Sequence, residues 1–193
     1  MIITVEDNLI ETTRELFGKT LRAVDTIPGP LNLAVVKQMI SQSPAVYFAF
    51  LGGGPGIQDG SINARFDAFI TTKHVRKVAR RRGDKTQIGA YEILGRLLPV
   101  LDGHTVPDVG TLKLKRVTNL FSVQMDKDMG AALYAATFEL PNMSFDTGDS
   151  TGILGDGTMG SLDNFMTFHA DYERDLTTDG EPVATDHVSL PQE

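Results

Sequence analysis

Four histidines, His74, His104, His169 and His187, are the residues of this chain best suited to acid–base or metal chemistry, and they are scattered along it. No two stand at i, i+4 and there is no HExxH, so helical metal-ligand spacing is missing. Cysteine is absent, which removes disulfides, thiolate nucleophiles and cysteine zinc sites together. His169 and Asp171 are separated by one residue and would share a face of a strand as a polar pair. A nucleophile and base need a supporting constellation, and none accompanies them, so this pair is expected to be structural or interfacial. Carboxylates are numerous, but those after Pro141 lie mostly among glycines, a poor setting for holding two of them in catalytic geometry. Gly52-Gly53-Gly54-Pro55-Gly56 follows an apolar run as a phosphate cradle would, yet lacks the Gly-Lys-Ser/Thr and helix of a P-loop and does not fit GxGxxG. It is expected to be a flexible turn. These residues predict no enzyme activity, no metal and no cofactor.

Charge is the more informative feature. The chain of 193 residues carries a formal charge of -7, but Lys73 to Lys85 holds seven Lys/Arg against the single Asp84, whereas Pro141 to Glu193 holds eleven carboxylates against Arg174 alone. A basic run beside an acidic tail suggests charge-matched contacts with partners or between copies. The basic run has no interleaved aromatic residues and so lacks stacking platforms for single-stranded nucleic acid, although non-specific phosphate contact is open to it. Apolar residues at 41% and charged residues at 22% are ordinary for a globular protein. No apolar run approaches a membrane span and the N-terminus has no signal-peptide pattern, so a soluble, cytoplasmic protein is expected.

The elements that must position these groups centre on Leu112 to Leu140. Leu112–Gln124, rich in β-branched and apolar residues, and the alternating Ala131–Leu140 flank the polar Met125–Gly130 and read as an antiparallel hairpin. Pro141 is expected to close its second strand. Upstream, apolar residues at helical spacing predict helix 1 from about Val5 to Leu21, capped by Thr4, and a shorter helix around Leu33–Ile40. Ala45–Leu51 reads as a strand buried on both faces, and Ile62–Ile70 as a strand antiparallel to it. Thr86 can cap a helix carrying Ile88, Tyr91, Leu94, Leu98 and Leu101, with Pro99 kinking or shortening its last turn. Asn142 to Gly160 is glycine-rich and reads as a loop or arm. Ser161–Phe168 could form a helical turn leading into an extended His169–Glu173, and Asp186–Leu190 an edge strand. The expected fold is α+β: an antiparallel four-stranded sheet with helices packed on one face, as a core domain over 1–141 with an irregular extension over 142–193.

Pro28-Gly29-Pro30-Leu31, Pro44 to Gly53, Gly89 to Leu94, Arg116 to Ser122, Tyr134 to Pro141 and Leu162-Asp163-Asn164-Phe165 with His169-Ala170-Asp171 occur in an order that resembles tail-morphogenesis proteins of Mu-like phages and prophages. The resemblance spans nearly the whole chain and rests on the collinear set. It implies a tail terminator, a structural protein whose hexameric ring caps the tail tube and joins it to head-completion or connector proteins, located at the virion's head–tail junction after assembly in the host cytoplasm. DNA would pass through the ring without specific binding. The alternatives are a head-completion protein and a DNA-binding accessory using residues 73–85. Interface candidates are Arg76, Lys77, Arg80, Arg81 and Arg82 in the basic run, Asp126, Lys127 and Asp128 at the hairpin tip, and Phe165 and Phe168 in the extension.

Overall fold

The computed structural model describes residues 1–29, 31–120, 129–144, 167–172 and 184–189. The chain divides into two compact units, Met1–Phe145 and Asp146–Glu193. In the first, α1 (Ile2–Phe17) buries Val5, Leu9, Ile10, Thr13 and Phe17 along one stripe. It starts earlier than Thr4 and ends at Gly18, whose φ of 52° few other residues tolerate. After a 3-10 turn (Gly18–Thr20), β1 (Ala23–Thr26) runs parallel to β2 (Ala45–Pro55), with α2 (Leu33–Ser41) between them. The Asn32 side chain accepts a hydrogen bond from Val35 N–H at 3.0 Å and caps α2. Next come β3 (Ser61–Lys73), α3 (Lys77–Arg82) and α4 (Ala90–Leu101), then a small β4/β5 pair (Thr105–Val106, Gly110–Thr111). The long hairpin of β6 (Lys113–Asn119) and β7 (Ala131–Ser144) completes the main sheet.

The sheet order is β1-β2-β3-β7-β6, antiparallel except for β1 with β2. Five strands of mixed orientation therefore replace the expected four antiparallel ones. The added strand is β1, whose Val24 falls at helical distance from Leu21 and so extends the apparent stripe of α1, although Gly18 has already ended that helix.

Strand alternation sends side chains to two cores. Val46 and Phe48 of β2, Phe66, Ala68 and Ile70 of β3, and Tyr134, Ala136 and Phe138 of β7 pack with α1 and α4. Ala45, Tyr47 and Ala49, Phe69, and Leu133 and Ala135 point the other way and pack with Val36, Met39 and Ile40 of α2. Helices thus lie on both faces, correcting the one-faced arrangement. Each fully buried large apolar side chain contributes about 1.5–3 kcal/mol, so β7 is stabilised from both sides, whereas β6 has no buried residue.

Pro141 and the glycine run also differ from expectation. β7 continues through Pro141 to Ser144 because the β3–β7 register shifts between Ile62 and Ala64, and a bulge is where a strand accepts a proline. Asn142, at φ 53°, turns the chain there, and its side chain accepts a hydrogen bond from Ile57 N–H at 2.8 Å. The glycines after Leu51 are the far end of β2, not a turn. A Cβ on Gly53 would sit 2.5 Å from the Asn63 carbonyl oxygen, so glycine permits close strand approach beside the register shift between Phe50 and Gly53. The second unit contains an antiparallel pair, β8 (Thr167–Tyr172) and β9 (Ala184–Ser189), in which His169 is the register partner of His187. Thr167 and Phe168 are thus strand residues, where the sequence had suggested a helical turn.

Candidate functional site

Three surfaces of the first unit concentrate charge. The first is the basic run. β3 delivers the chain to His74, and α3 follows as a six-residue helix with four basic residues, Lys77, Arg80, Arg81 and Arg82. Arg80 turns inward and is 7% exposed. Its guanidinium donates to the carbonyls of His74 and Val75, while its own carbonyl accepts from the Thr72 hydroxyl at 2.6 Å. A buried cation must be met by oxygen acceptors, and here the turn after β3 supplies them. Arg76, Lys77, Arg81 and Arg82 remain exposed, together with Val75 (93%) and Val78 (55%).

Asp84 ties this run to the segment before α4. One of its carboxylate oxygens lies 2.7 Å from Arg76 and 3.2 Å from His74 Nε2. The other accepts from the Thr86 hydroxyl at 2.7 Å and from the Thr86 and Gln87 N–H groups at 2.9 and 3.1 Å. The Thr86 hydroxyl and N–H, then Gln87 and Arg76, hold the Asp84 carboxyl well below the usual carboxylate range. Thr86 therefore completes this Asp84-centred turn, and α4 begins three residues beyond Gln87 at Ala90, with Gly89 as its N-cap. Pro99 sits within α4 on its exposed side, and the helix continues to Leu101.

Beside the basic run, the Tyr91 and Tyr134 rings meet edge to face with centroids 5.8 Å apart. Burial pushes the Tyr134 hydroxyl up to about 12, whereas Tyr91, near Tyr134 and Arg81, is lowered. A hollow of about 230 Å³ is lined here by Lys77, Arg80, Arg81, Asn119, Ala131, Ala132 and Tyr134. It holds cations, an amide and a phenol, and no nucleophile with a base.

The second surface is the part of the sheet face beyond α2. Two residues past Phe69 and Ala135, the same face presents Asp67 opposite Thr137, then Arg65 opposite Glu139. Lys115 and Arg116 reach it from β6, and Lys115 pairs with Glu139 at 2.8 Å. Asp67 is 7% exposed, and its Oδ1 has no hydrogen-bond partner among the described residues. Burial raises its carboxyl above the usual range, opposed by Thr137 and Arg116. The third surface is the opposite margin, where Asp7, Glu11, Glu15 and Asp25 line a groove with Ile10 and Arg14. Arg14 bridges it to the sheet by donating to the Val24 carbonyl at 2.8 Å. Arg22 stands in the adjoining hollow.

Among the described residues no three His, Asp or Glu side chains gather as a metal site, and no helix is long and apolar enough to cross a membrane. His104 is used internally, its Nε2 lying 2.7 Å from Asn8 Oδ1. Asp126, Lys127, Asp128 and Phe165 lie outside the described residues, and Phe168 is the register partner of Val188 in the second unit. The sequence missed the charged sheet face, because strand parity placed Arg65, Asp67 and Glu139 together only once the β3–β7 register was known. Among the comparisons, one family matches residues 1–143, and it is described as Bacteriophage Mu, Gp37. The chain belongs to this phage Mu Gp37 family. Its relatives include the Mu-like prophage FluMu protein gp37 of Haemophilus influenzae, 31% identical over 76% of this chain and 74% of the relative. Another is a protein of Escherichia phage Mu named a probable tail terminator, 26% identical over 100% of this chain and 96% of its own. Among solved structures, a chain of the virion of a native gene transfer agent particle aligns with TM-score 0.41 and 12% identity, covering 72% of this chain and 92% of that one.

Proposed function

We propose that this Gp37-family chain is a tail terminator, a non-enzymatic subunit that assembles as a hexameric ring on the tail tube and joins it to head-completion proteins. The observation that carries this reading is the end-to-end match to the phage Mu protein named a probable tail terminator, which extends past residue 143 to the end of the chain. The surfaces suit the role, since each presents charge or exposed apolar side chains without a catalytic constellation. Arg76, Lys77, Arg81 and Arg82 with Val75 and Val78 form a patch for an acidic protein partner, a neighbouring subunit or the tube, while Arg80 anchors the patch from beneath. The hairpin tip with Asp126, Lys127 and Asp128, and the extension over 142–193 with Phe165 and Phe168, supply further contacts in the ring.

Disrupting the coding sequence in a phage or prophage that carries it, then imaging lysates by electron microscopy, tests the reading. The expected result is unjoined heads and tails of irregular length, restored by complementation. Normal virions would overturn it. The exposed cations of α3 also favour a second reading, a DNA-binding accessory. Retention on bulk DNA at low salt that is lost as salt rises would support it.

A further inference from the structure

The main sheet ends in two unpartnered edges. β6 pairs only with β7 and β1 pairs only with β2, so each has one side with no ladder partner among the described residues, although at the start of β6 the Leu114 N–H donates to Asp102 Oδ1 at 2.9 Å. The two margins carry opposite charge. On the β6 side, Lys113, Lys115 and Arg116 are exposed, and Arg65 joins them across a hollow of about 250 Å³; Glu139, the buried Asp67 and Asp102 at the start of the strand offset only part of this charge. On the β1 side, Asp7, Glu11, Glu15 and Asp25 are exposed, and Arg14 with Arg22 in the adjoining hollow offsets only part of their charge.

We propose that these margins recognise each other on successive copies of this chain, the β6 edge of one subunit lying against the α1–β1 edge of the next. The lengths agree. Asp7, Glu11 and Glu15 repeat every four residues on one side of α1 and span about 12 Å at the helical rise of 1.5 Å per residue. Lys113 to Arg116 spans roughly 10 Å of strand. The contact is heterologous, because two different patches meet, and such contacts close into rings or run on as filaments. Isolated edge lysines guard a sheet against indiscriminate pairing. A matching acidic margin on the same molecule converts that guard into a selective seam, since like margins repel and unlike margins attract. This inference rests on the ring reading for its setting and supplies the ring's seam.

The chain lacks cysteine, so introduced thiols report only the designed contact. Glu11→Cys and Lys115→Cys chains, both full length, are mixed at high concentration and low salt and oxidised gently. The mixed disulfide should exceed either like-with-like disulfide by roughly tenfold, and the preference should fade as salt screens the margins. A statistical mixture, a preference for like-with-like dimers, or no disulfide at all would overturn the seam. Charge reversal checks the same contact without thiols: Glu11→Lys with Glu15→Lys should abolish self-association, and adding Lys115→Glu with Arg116→Glu to the same chain should restore it. Failure of the combined variant to recover would also count against the seam. Cross-linking reads the contact directly, so the seam can fail while tails still require the protein, and it can hold in a protein that does not terminate tails.

Discussion

One face of β3 and β7 behaves in two ways along its length. Beneath α2, Phe69, Leu133 and Ala135 are buried with Tyr47, Met39 and Ile40. A single pleat repeat further along, the same face carries Asp67 and Thr137, and the next repeat carries Arg65 and Glu139, reached by Lys115 and Arg116. The strands, hydrogen-bond ladder and pleat are shared, and only the side chains change. A sheet face with a helix on it is spent on folding, whereas a face carrying the Lys115–Glu139 pair and a buried carboxylate with one oxygen unpartnered among the described residues contributes little stability, because exposed pairs are worth about 0–1 kcal/mol and an unpartnered buried polar atom costs rather than contributes. The second half therefore contributes less to the fold than the first.

The largest expected contrast lies between Leu133→Ala and Arg65→Ala. Leu133 is 2% exposed, and truncating it should cost about 2–5 kcal/mol in urea unfolding. Arg65→Ala should change stability by no more than about 0.5 kcal/mol while weakening self-association. A large stability loss from Arg65→Ala would break the division between the two halves. Arg80→Met comes next. It removes a guanidinium that satisfies the His74 and Val75 carbonyls, so a loss of about 1.5–3 kcal/mol is expected; no loss would show that these hydrogen bonds do not anchor the turn.

The smallest effects concern pH. Asp67 has a folded-state pKa raised by burial, so its favourable contribution is complete below the ordinary carboxylate value and is lost as pH rises through the raised one. Asp67→Asn should accordingly give a slightly higher urea midpoint at neutral pH, an advantage that vanishes on acidification. Asp84 is lowered by the Thr86 and Gln87 hydrogen bonds and by Arg76, so its contribution is present above the ordinary value and disappears as pH falls through the lowered one. Asp84→Asn should flatten that acid limb. An Asp67→Asn protein less stable than wild type at neutral pH would show that the carboxylate is already well matched within the subunit.

Periodicity made α1, α2, β2, β3, α4 and the β6–β7 hairpin legible, because each is long enough for a stripe or an alternation to stand out. β1 escaped since four residues show too little alternation and Val24 continued the helical spacing of α1. α3 escaped because its only buried side chains are Ala79 and Arg80, leaving no apolar stripe to read. The glycine run and Pro141 misled for one reason: local propensity says where a chain can turn, while strand pairing decides whether it does. Of the candidate contacts, the exposed cations of α3 could be read directly, but the two charged margins required the strand order.

The most direct measurement is a cryo-EM map of the head–tail junction of particles that encode this chain. The result expected is a closed ring of this protein between the tail tube and the head-completion proteins, with β6 of each subunit against α1 of the next. A map in which that position is filled by another protein, with this chain absent from the virion, would contradict the assignment outright.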